Sequence, residues 1–244
     1  MTNIINVNID TKVLLARGLD QLSIEHNDEI INKFIVFMKN VLVHNKDINL
    51  TAIKDEKEFI VKHFLDSVVC SNWDMVRSAK RVIDIGTGIG MPGVPLAILL
   101  PDKEFVLVDS LRKRLTILNE IIKVIKLHNV KIIHERAEDL ARNIFFREAF
   151  DLSISRAVAD LKILVELCIP FLSVGGFFLA YKGGKPNEEI HEAKKAIMTL
   201  GGRIEEICEV GNDNNRSIVI IKKVSHTPDC YPRKAGMPKK KPIC

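Results

Sequence analysis

Residues 84–90 read Asp-Ile-Gly-Thr-Gly-Ile-Gly, directly after the apolar Val82-Ile83, and an acid at the end of a second apolar run, Asp109, follows Gly86 by 23 positions. Glycines let the chain turn sharply and bring bare backbone N–H groups against a ligand, while a carboxylate about 20 residues later can accept both hydroxyls of a ribose. The constellation predicts a site for a nucleoside-type cofactor. For the glycines alone, a tight strand-to-helix turn without a ligand is the alternative; Asp84 and Asp109 together weigh against it.

The spacing selects among nucleosides. Dinucleotide sites place glycines as G-x-G-x-x-G to seat a pyrophosphate on a helix N-terminus, but here the third position is Met91 and the glycines fall at 86, 88 and 90, with Pro92 opening the next helix. S-adenosyl-L-methionine carries no phosphate, so an apolar Met91 can line a cleft where a dinucleotide enzyme needs open N–H groups. The expected cofactor is S-adenosylmethionine and the expected chemistry methyl transfer. A dinucleotide-dependent oxidoreductase is the rival enzyme, disfavoured by Met91 and by the lack of an evident acid or histidine for hydride chemistry.

These residues need strands behind them and helices beside them. Apolar runs near 81–85, 104–109, 130–134, 150–155 and 175–182 alternate with helical segments, which argues for right-handed crossovers and a parallel sheet. Two further strands, near 203–210 and 216–223, flank Gly211-Asn212-Asp213-Asn214-Asn215, a hairpin loop by composition, so the sheet should end antiparallel. Leu111, Leu115, Leu118, Ile122 and Ile125 recur at helical steps as a core stripe and leave Arg112, Lys113, Arg114, Lys123 and Lys126 toward solvent. Upstream, helical spacing covers 12–22 and, after the cap Asn27, 28–43, with Ile30, Phe34, Phe37 and Val41 on one stripe; Asn49-Leu50-Thr51 breaks it, and a third helix is expected over 56–72. The expected fold is α/β: a Rossmann-like class I S-adenosylmethionine-dependent methyltransferase with a mainly parallel seven-stranded sheet, helices on both faces and an N-terminal helical extension. The expected division is that extension over 1–75, the methyltransferase domain over 76–224 and a basic tail over 225–244.

Ligands of an open parallel sheet lie at the carboxyl ends of its strands, which makes the residues just past each strand the site candidates. After the first strand come Gly86, Gly88, Gly90 and Met91, and after the second Asp109 and Ser110, expected to hold methionine and ribose. After the third come Arg136, Ala137, Glu138 and Asp139, either a receptor for the adenine edge or a helix start whose acids suit the dipole. After the fourth, Arg156 in Ser155-Arg156-Ala157-Val158 would be costly at a strand end unless it met an anion, a phosphate or the cofactor carboxylate. After the fifth, Lys182-Gly183-Gly184-Lys185 is either a contact for an incoming nucleotide or a solvent loop.

The net charge of +5 is concentrated. Residues 222–244 hold seven Lys or Arg against one acid, Asp229, for a net of +6, while the remaining 221 residues sum to −1. With Pro228, Pro232, Pro238 and Pro242 extending it, this segment suits a basic arm on a phosphate backbone, and a solvated, disordered terminus is the alternative. The apolar share of 47% and charged share of 27% are ordinary for a globular chain. The longest uncharged apolar stretch, 167–181, is shorter than the roughly 20 residues of a membrane helix, and the N-terminus lacks the pattern of a secretory signal, so the expectation is a cytoplasmic protein without a membrane span. Five scattered cysteines, at 70, 168, 208, 230 and 244, form no C-x-x-C pair and no histidines form H-x-x-x-H, so reduced thiols and no metal are expected, with Cys168 and Cys208 filling the core.

Taken in order, Asn49-Leu50-Thr51-Ala52, His63-Phe64-Leu65-Asp66-Ser67, the DIGTGIGMPGVPLAI run, Val108-Asp109-Ser110 with Lys113-Arg114, Arg136-Ala137-Glu138, Ser155-Arg156-Ala157-Val158-Ala159, Tyr181-Lys182-Gly183 and Tyr231-Pro232-Arg233-Lys234-Ala235-Gly236-Met237-Pro238 resemble the small-subunit ribosomal RNA methyltransferase G family, also called glucose-inhibited division protein B, over nearly the whole chain. The resemblance implies transfer of a methyl group from S-adenosylmethionine to N7 of one guanine, position 527 of 16S rRNA, in the decoding region of the small ribosomal subunit or its assembly intermediate. By the family's motifs, the cofactor contacts carry over to Gly86, Met91, Ala137, Glu138 and Arg156. Relatives with Ser-Gly-Ala-Gly-Phe-Pro-Gly keep the same glycines as Thr87-Gly88-Ile89-Gly90-Met91-Pro92-Gly93, and Met91 for an aromatic bears on cofactor affinity. Guanine N7 has an in-plane lone pair in the neutral base, so its attack on a methyl group needs no general base and no catalytic side chain is assigned. Arg156 and Lys182 are expected to position the guanine or its phosphate. A non-catalytic rRNA-binding module with a retained cofactor pocket is the alternative.

Overall fold

The computed structural model describes residues 9–156, 158–210 and 216–243. Seven strands form one sheet: β1 (Arg81–Ile85), β2 (Glu104–Asp109), β3 (Val130–His134), β4 (Phe150–Arg156), β5 (Leu172–Gly183), β6 (Gly202–Val210) and β7 (Arg216–Lys223). Their order is β3-β2-β1-β4-β5-β7-β6. The first five run parallel, and β7 lies antiparallel between β5 and β6. Each strand falls where an apolar run placed it. The order reverses between β1 and β4, the switch point at which open sheets hold ligands. The hairpin loop expected over 211–215 lies outside the described residues, as do Ala157 and Cys244.

Helices α1 (Ile9–Gln21) and α2 (Asp28–His44) lead to α3 (Glu56–Phe59), a π-helical segment (Ile60–Leu65), α4 (Asp66–Val68) and α5 (Asp74–Ser78). Crossovers and turns contain α6 (Gly93–Leu99), α7 (Arg112–Val124), α8 (Ala137–Leu140), α9 (Leu161–Cys168) and α10 (Asn187–Thr199), and α11 (Met237–Lys240) lies in the C-terminal segment. Successive strand residues point to opposite faces. Val82, Leu107, Ile154, Leu179 and Ile220 therefore enter one core with α1, α2, α6 and α7. Ile83, Val108, Phe178 and Val219 enter a second with α8, α9 and α10. The N-terminal helices thus share a core with the sheet that carries the glycine turn, α2 packing on α6 and α7.

Local signals set the ends of these elements. Asn27 caps α2 by accepting from the Ile30 N–H at 2.9 Å. Past its other end, Asn45 accepts from the N–H groups of Leu50 and Thr51 and donates to the Thr51 carbonyl, which turns the chain back. The Asn129 amide donates to the carbonyls of Ala97, Leu100 and Lys103, closing the end of α6.

Two expectations are corrected. The helix expected over 56–72 ends at Val68, and its middle is widened to a π turn, with the Asp66 N–H reaching the Val61 carbonyl five residues back. The widening keeps Phe59 and Phe64 side by side in the core, ring centroids 5.1 Å apart, while His63 faces the end of β4. Leu111 does not join the core stripe of α7: it is 51% exposed because the helix begins one residue later, at Arg112. Ile117 and Ile121 extend the buried face in its place.

Phe64 is fully buried and packs edge-on against Phe34 and Phe59. Phe64→Ala should lower the unfolding free energy by about 3–5 kcal/mol, measured by urea denaturation.

Candidate functional site

The glycine turn is tied down by two carboxylates at neighbouring strand ends. Asp84, on β1, is completely buried; its Oδ2 accepts from Thr87 Oγ1 at 2.7 Å and from the Gly93 N–H at 3.0 Å, while its Oδ1 has no hydrogen-bond partner. Burial pushes its pKa up to about 7, against the pull of the Thr87 and Gly93 hydrogen bonds. Asp109, at the end of β2, accepts from the Gly88 N–H through Oδ2 and from the Leu111 N–H through Oδ1, both at 2.8 Å. Gly86 takes φ +72°, and a Cβ there would come within 2.4 Å of Val158 Cγ2, so the turn lies tight against the segment after β4.

Beside this turn opens a cleft of about 400 Å³. Gly86, Asp109, Ala137 and Glu138 line it together, with Val158 and Ala159 from the segment after β4 and Gly236, Pro238 and Lys239 from the C-terminal segment. Glu138 is 8% exposed and its Oε1 accepts from the Gly236 N–H at 2.8 Å. Four of the expected cofactor residues are therefore brought to one wall. Gly88 gives its N–H to Asp109, and Met91 is buried with Sδ 3.7 Å from Ser67 Oγ, whose proton goes to the His63 carbonyl; neither is among the residues lining the cleft.

The donor set suits S-adenosylmethionine. Both Asp109 oxygens are held by main-chain N–H groups and each keeps a further lone pair, the arrangement a vicinal diol requires. Gly86 supplies bare backbone at the β1 end, and Ala137 and Glu138 supply a small side chain and a carboxylate beyond β3.

Arg156 and Lys182 lie instead at a second cavity of about 150 Å³, with Asp66, Tyr181, Glu189 and Arg216. Arg156 donates to the Lys62 carbonyl at 3.2 Å and to His63 Nδ1 at 3.0 Å. Since the guanidinium can only donate, Nδ1 is the acceptor, and Nε2–H donates to Thr51 Oγ1 at 2.8 Å. Burial, then the charges of Arg156 and Arg216, bring the His63 pKa down to about 3, so this imidazole is neutral. Lys182 pairs with Glu189 at 2.5 Å and donates to the Ala159 carbonyl at 3.1 Å; Arg216 pairs with Asp66 at 3.1 Å. Tyr181 donates to the Ser67 carbonyl and so accepts from the Cys70 thiol, whose pKa burial pushes up to about 12. The segment after β4 joins the two cavities: Arg156 faces one, and Val158 and Ala159 line the other.

The basic segment is not an extended arm. Lys223 is buried and pairs with Glu148 at 3.2 Å, Arg233 pairs with Glu166, and Pro238 is buried, whereas Lys234, Lys239, Lys240 and Lys241 remain exposed. Sequence reasoning did not assign Asp66, His63, Glu189 or Arg216 to a site, nor Gly236 and Lys239 to the cleft. The His63-Phe64-Leu65-Asp66-Ser67 run and the tail motif were the available signals.

Comparisons with known proteins bear on family and fold. The family model described as rRNA small subunit methyltransferase G matches residues 30–219. A protein named ribosomal RNA small subunit methyltransferase G from Clostridium kluyveri is 48% identical over 223 residues, covering 91% of this chain and 94% of its own. One of the same name from Alkaliphilus oremlandii is 45% identical over 238 residues, covering 96% and 100%. Among solved structures, a candidate O-methyltransferase from Klebsiella pneumoniae is similar with a TM-score of 0.58 at 12% identity, covering 87% of this chain and 97% of its own. A ribosomal protein L11 methylase from Lactobacillus delbrueckii is similar at 0.50 and 16%, covering 67% and 79%. At such identities the structures speak to the fold alone: the Rossmann-like methyltransferase sheet.

Asp109→Ala leaves two N–H groups unpaired and removes the diol acceptor, so the Kd for S-adenosylmethionine should rise roughly tenfold to a hundredfold, measured by calorimetry; an unchanged Kd would remove Asp109 from the site. For Asp84, the folded pKa lies above the unfolded value of 3.8. Between about pH 4 and pH 7 the unfolded chain has lost this proton while the folded chain keeps it, so the contribution of Asp84 to stability falls as pH rises. Urea unfolding should show wild type losing stability relative to Asp84→Asn across that window.

Proposed function

Because the chain belongs to the rRNA small subunit methyltransferase G family, we propose that its methyl acceptor is N7 of a single guanine, position 527 of 16S rRNA, in the decoding region of the small ribosomal subunit or its assembly intermediate. The protein is an S-adenosylmethionine-dependent rRNA methyltransferase. The reading places it in the cytoplasm with its substrate. It treats 1–75 as a helical extension, 76–224 as the methyltransferase domain and 225–244 as the basic tail.

One observation carries the reading: an acid-bearing cleft at the sheet's switch point meets a cation-bearing cavity through the segment after β4. In the cleft, Asp109 would hold the ribose, Glu138 and Ala137 the adenine end, and the Gly86 turn the methionine end. When bound, the cofactor supplies an electrophilic methyl group. The chain's task is then to bring a base to it and exclude water. Arg156 and Lys182 are suited to a guanine O6 or a backbone phosphate, and both are already fixed, by His63 and Glu189. Neither is asked to move a proton, which agrees with N7 as acceptor, because its lone pair is free in the neutral base. His63 is no general base either, since both ring nitrogens are engaged and its pKa is about 3. Holding two reactants in line is worth up to about 7–11 kcal/mol in favourable model systems.

The test is incubation with methyl-labelled S-adenosylmethionine and unmodified small subunits or their RNA, followed by N7-specific strand cleavage. Label should appear at one decoding-region guanine. Cofactor binding without transfer would favour a non-catalytic rRNA-binding module. Arg156→Ala and Lys182→Ala should each lower kcat/KM for the RNA by roughly tenfold or more, a loss of about 1.4 kcal/mol of transition-state stabilisation. If rate and cofactor affinity were both unchanged, the assigned role would be wrong.

A further inference from the structure

The C-terminal segment carries more interactions than a basic tail needs. Glu166, on α9, has a side chain with no exposure at all, and Arg233 satisfies it three times over: its main-chain N–H and Nε reach Oε1 at 2.8 and 2.9 Å, and Nη2 reaches Oε2 at 2.6 Å. From the domain side, Arg142 donates to the Pro232 carbonyl at 2.6 Å and Arg147 to the Tyr231 carbonyl at 2.8 Å. Three residues beyond Arg233, the Gly236 N–H donates to Glu138 Oε1, and Gly236, Pro238 and Lys239 then line the cleft assigned to the cofactor.

A buried ion pair is weak evidence for stability, because an apolar pair of similar volume often stabilises as well or better. What the pair supplies is register. A planar fork on a buried carboxylate, joined by a main-chain N–H of the same residue, permits one placement of Arg233 and hence of Gly236. Glu138 shares its carboxylate between this strap and the cleft: Oε1 is held by Gly236, which orients the group within the wall.

We propose that residues 231–239 are a strap lining the cofactor cleft, and that Arg233, through Glu166, is a positioning residue that sets Glu138 for cofactor binding. The proposal rests on the S-adenosylmethionine site assigned above. Because strap docking and cofactor binding then share Glu138, each favours the other, and the coupling is reciprocal. The exposed Lys234 and Lys239 ride on the strap, and Lys240 and Lys241 follow it, so a bound cofactor also fixes Lys239 at the cleft.

The experiment compares wild type, Arg233→Ala and the double variant Glu166→Met, Arg233→Met. The double variant leaves no buried charge unpaired and covers the case in which the single variant does not fold. Calorimetry with S-adenosylmethionine should give a Kd at least tenfold higher in the variants, while kcat at saturating cofactor and RNA stays within twofold of wild type. Hydrogen exchange should show residues 231–241 protected by S-adenosylmethionine in wild type, with that protection reduced in the variants. An unchanged Kd in a folded variant overturns the proposal, as does a fall in kcat matching the rise in Kd, which a merely structural pair would produce. Absence of cofactor binding by wild type overturns the underlying site assignment as well, which separates the two failures.

Discussion

The site depends on a buried carboxylate held beneath a glycine turn. Asp84 is buried at the end of β1, where a charge is costly, and its pKa near 7 records that cost. In return it accepts from Thr87 and from the Gly93 N–H, and so ties the turn to the start of α6. Asp109 performs the complementary task from β2 by accepting from the Gly88 N–H. The two acids span the loop from below and from the side. Its backbone is thereby set before any ligand arrives, and a preorganised site binds without a further ordering cost.

Around that loop the charged groups are arranged in pairs. Arg156 is met by a neutral His63 and the Lys62 carbonyl, Lys182 by Glu189, Arg216 by Asp66 and Arg233 by Glu166. Each pairing holds a long, flexible side chain in one conformation. A methyltransferase whose acceptor atom already carries its lone pair needs orientation more than proton transfer, and this is chemistry that fixed cations can serve.

The π turn at Ile60–Leu65 shows how the helical region reaches the site. It lets one short helix bury Phe59 and Phe64 while bringing His63 between Thr51 and Arg156. The N-terminal helices are thus part of the same core as the sheet and also brace the end of β4.

Much of this was legible in the sequence, because local rules govern it. Apolar runs of strand length marked all seven strands, and their order among the helical segments implied a parallel sheet with an antiparallel end. Glycine spacing, Asp84 and Asp109 indicated the tight turn after β1, since turns and strand ends depend on residues close in the chain. Tertiary structure alone decided the rest. Arg156 and Lys182 face a cavity of their own, Met91 turns inward onto Ser67, and the lysine-rich end folds back through Arg233 and Glu166, 67 residues apart in sequence. Charge and composition report how many cations a segment has; which of them are free depends on partners that only folding brings within reach.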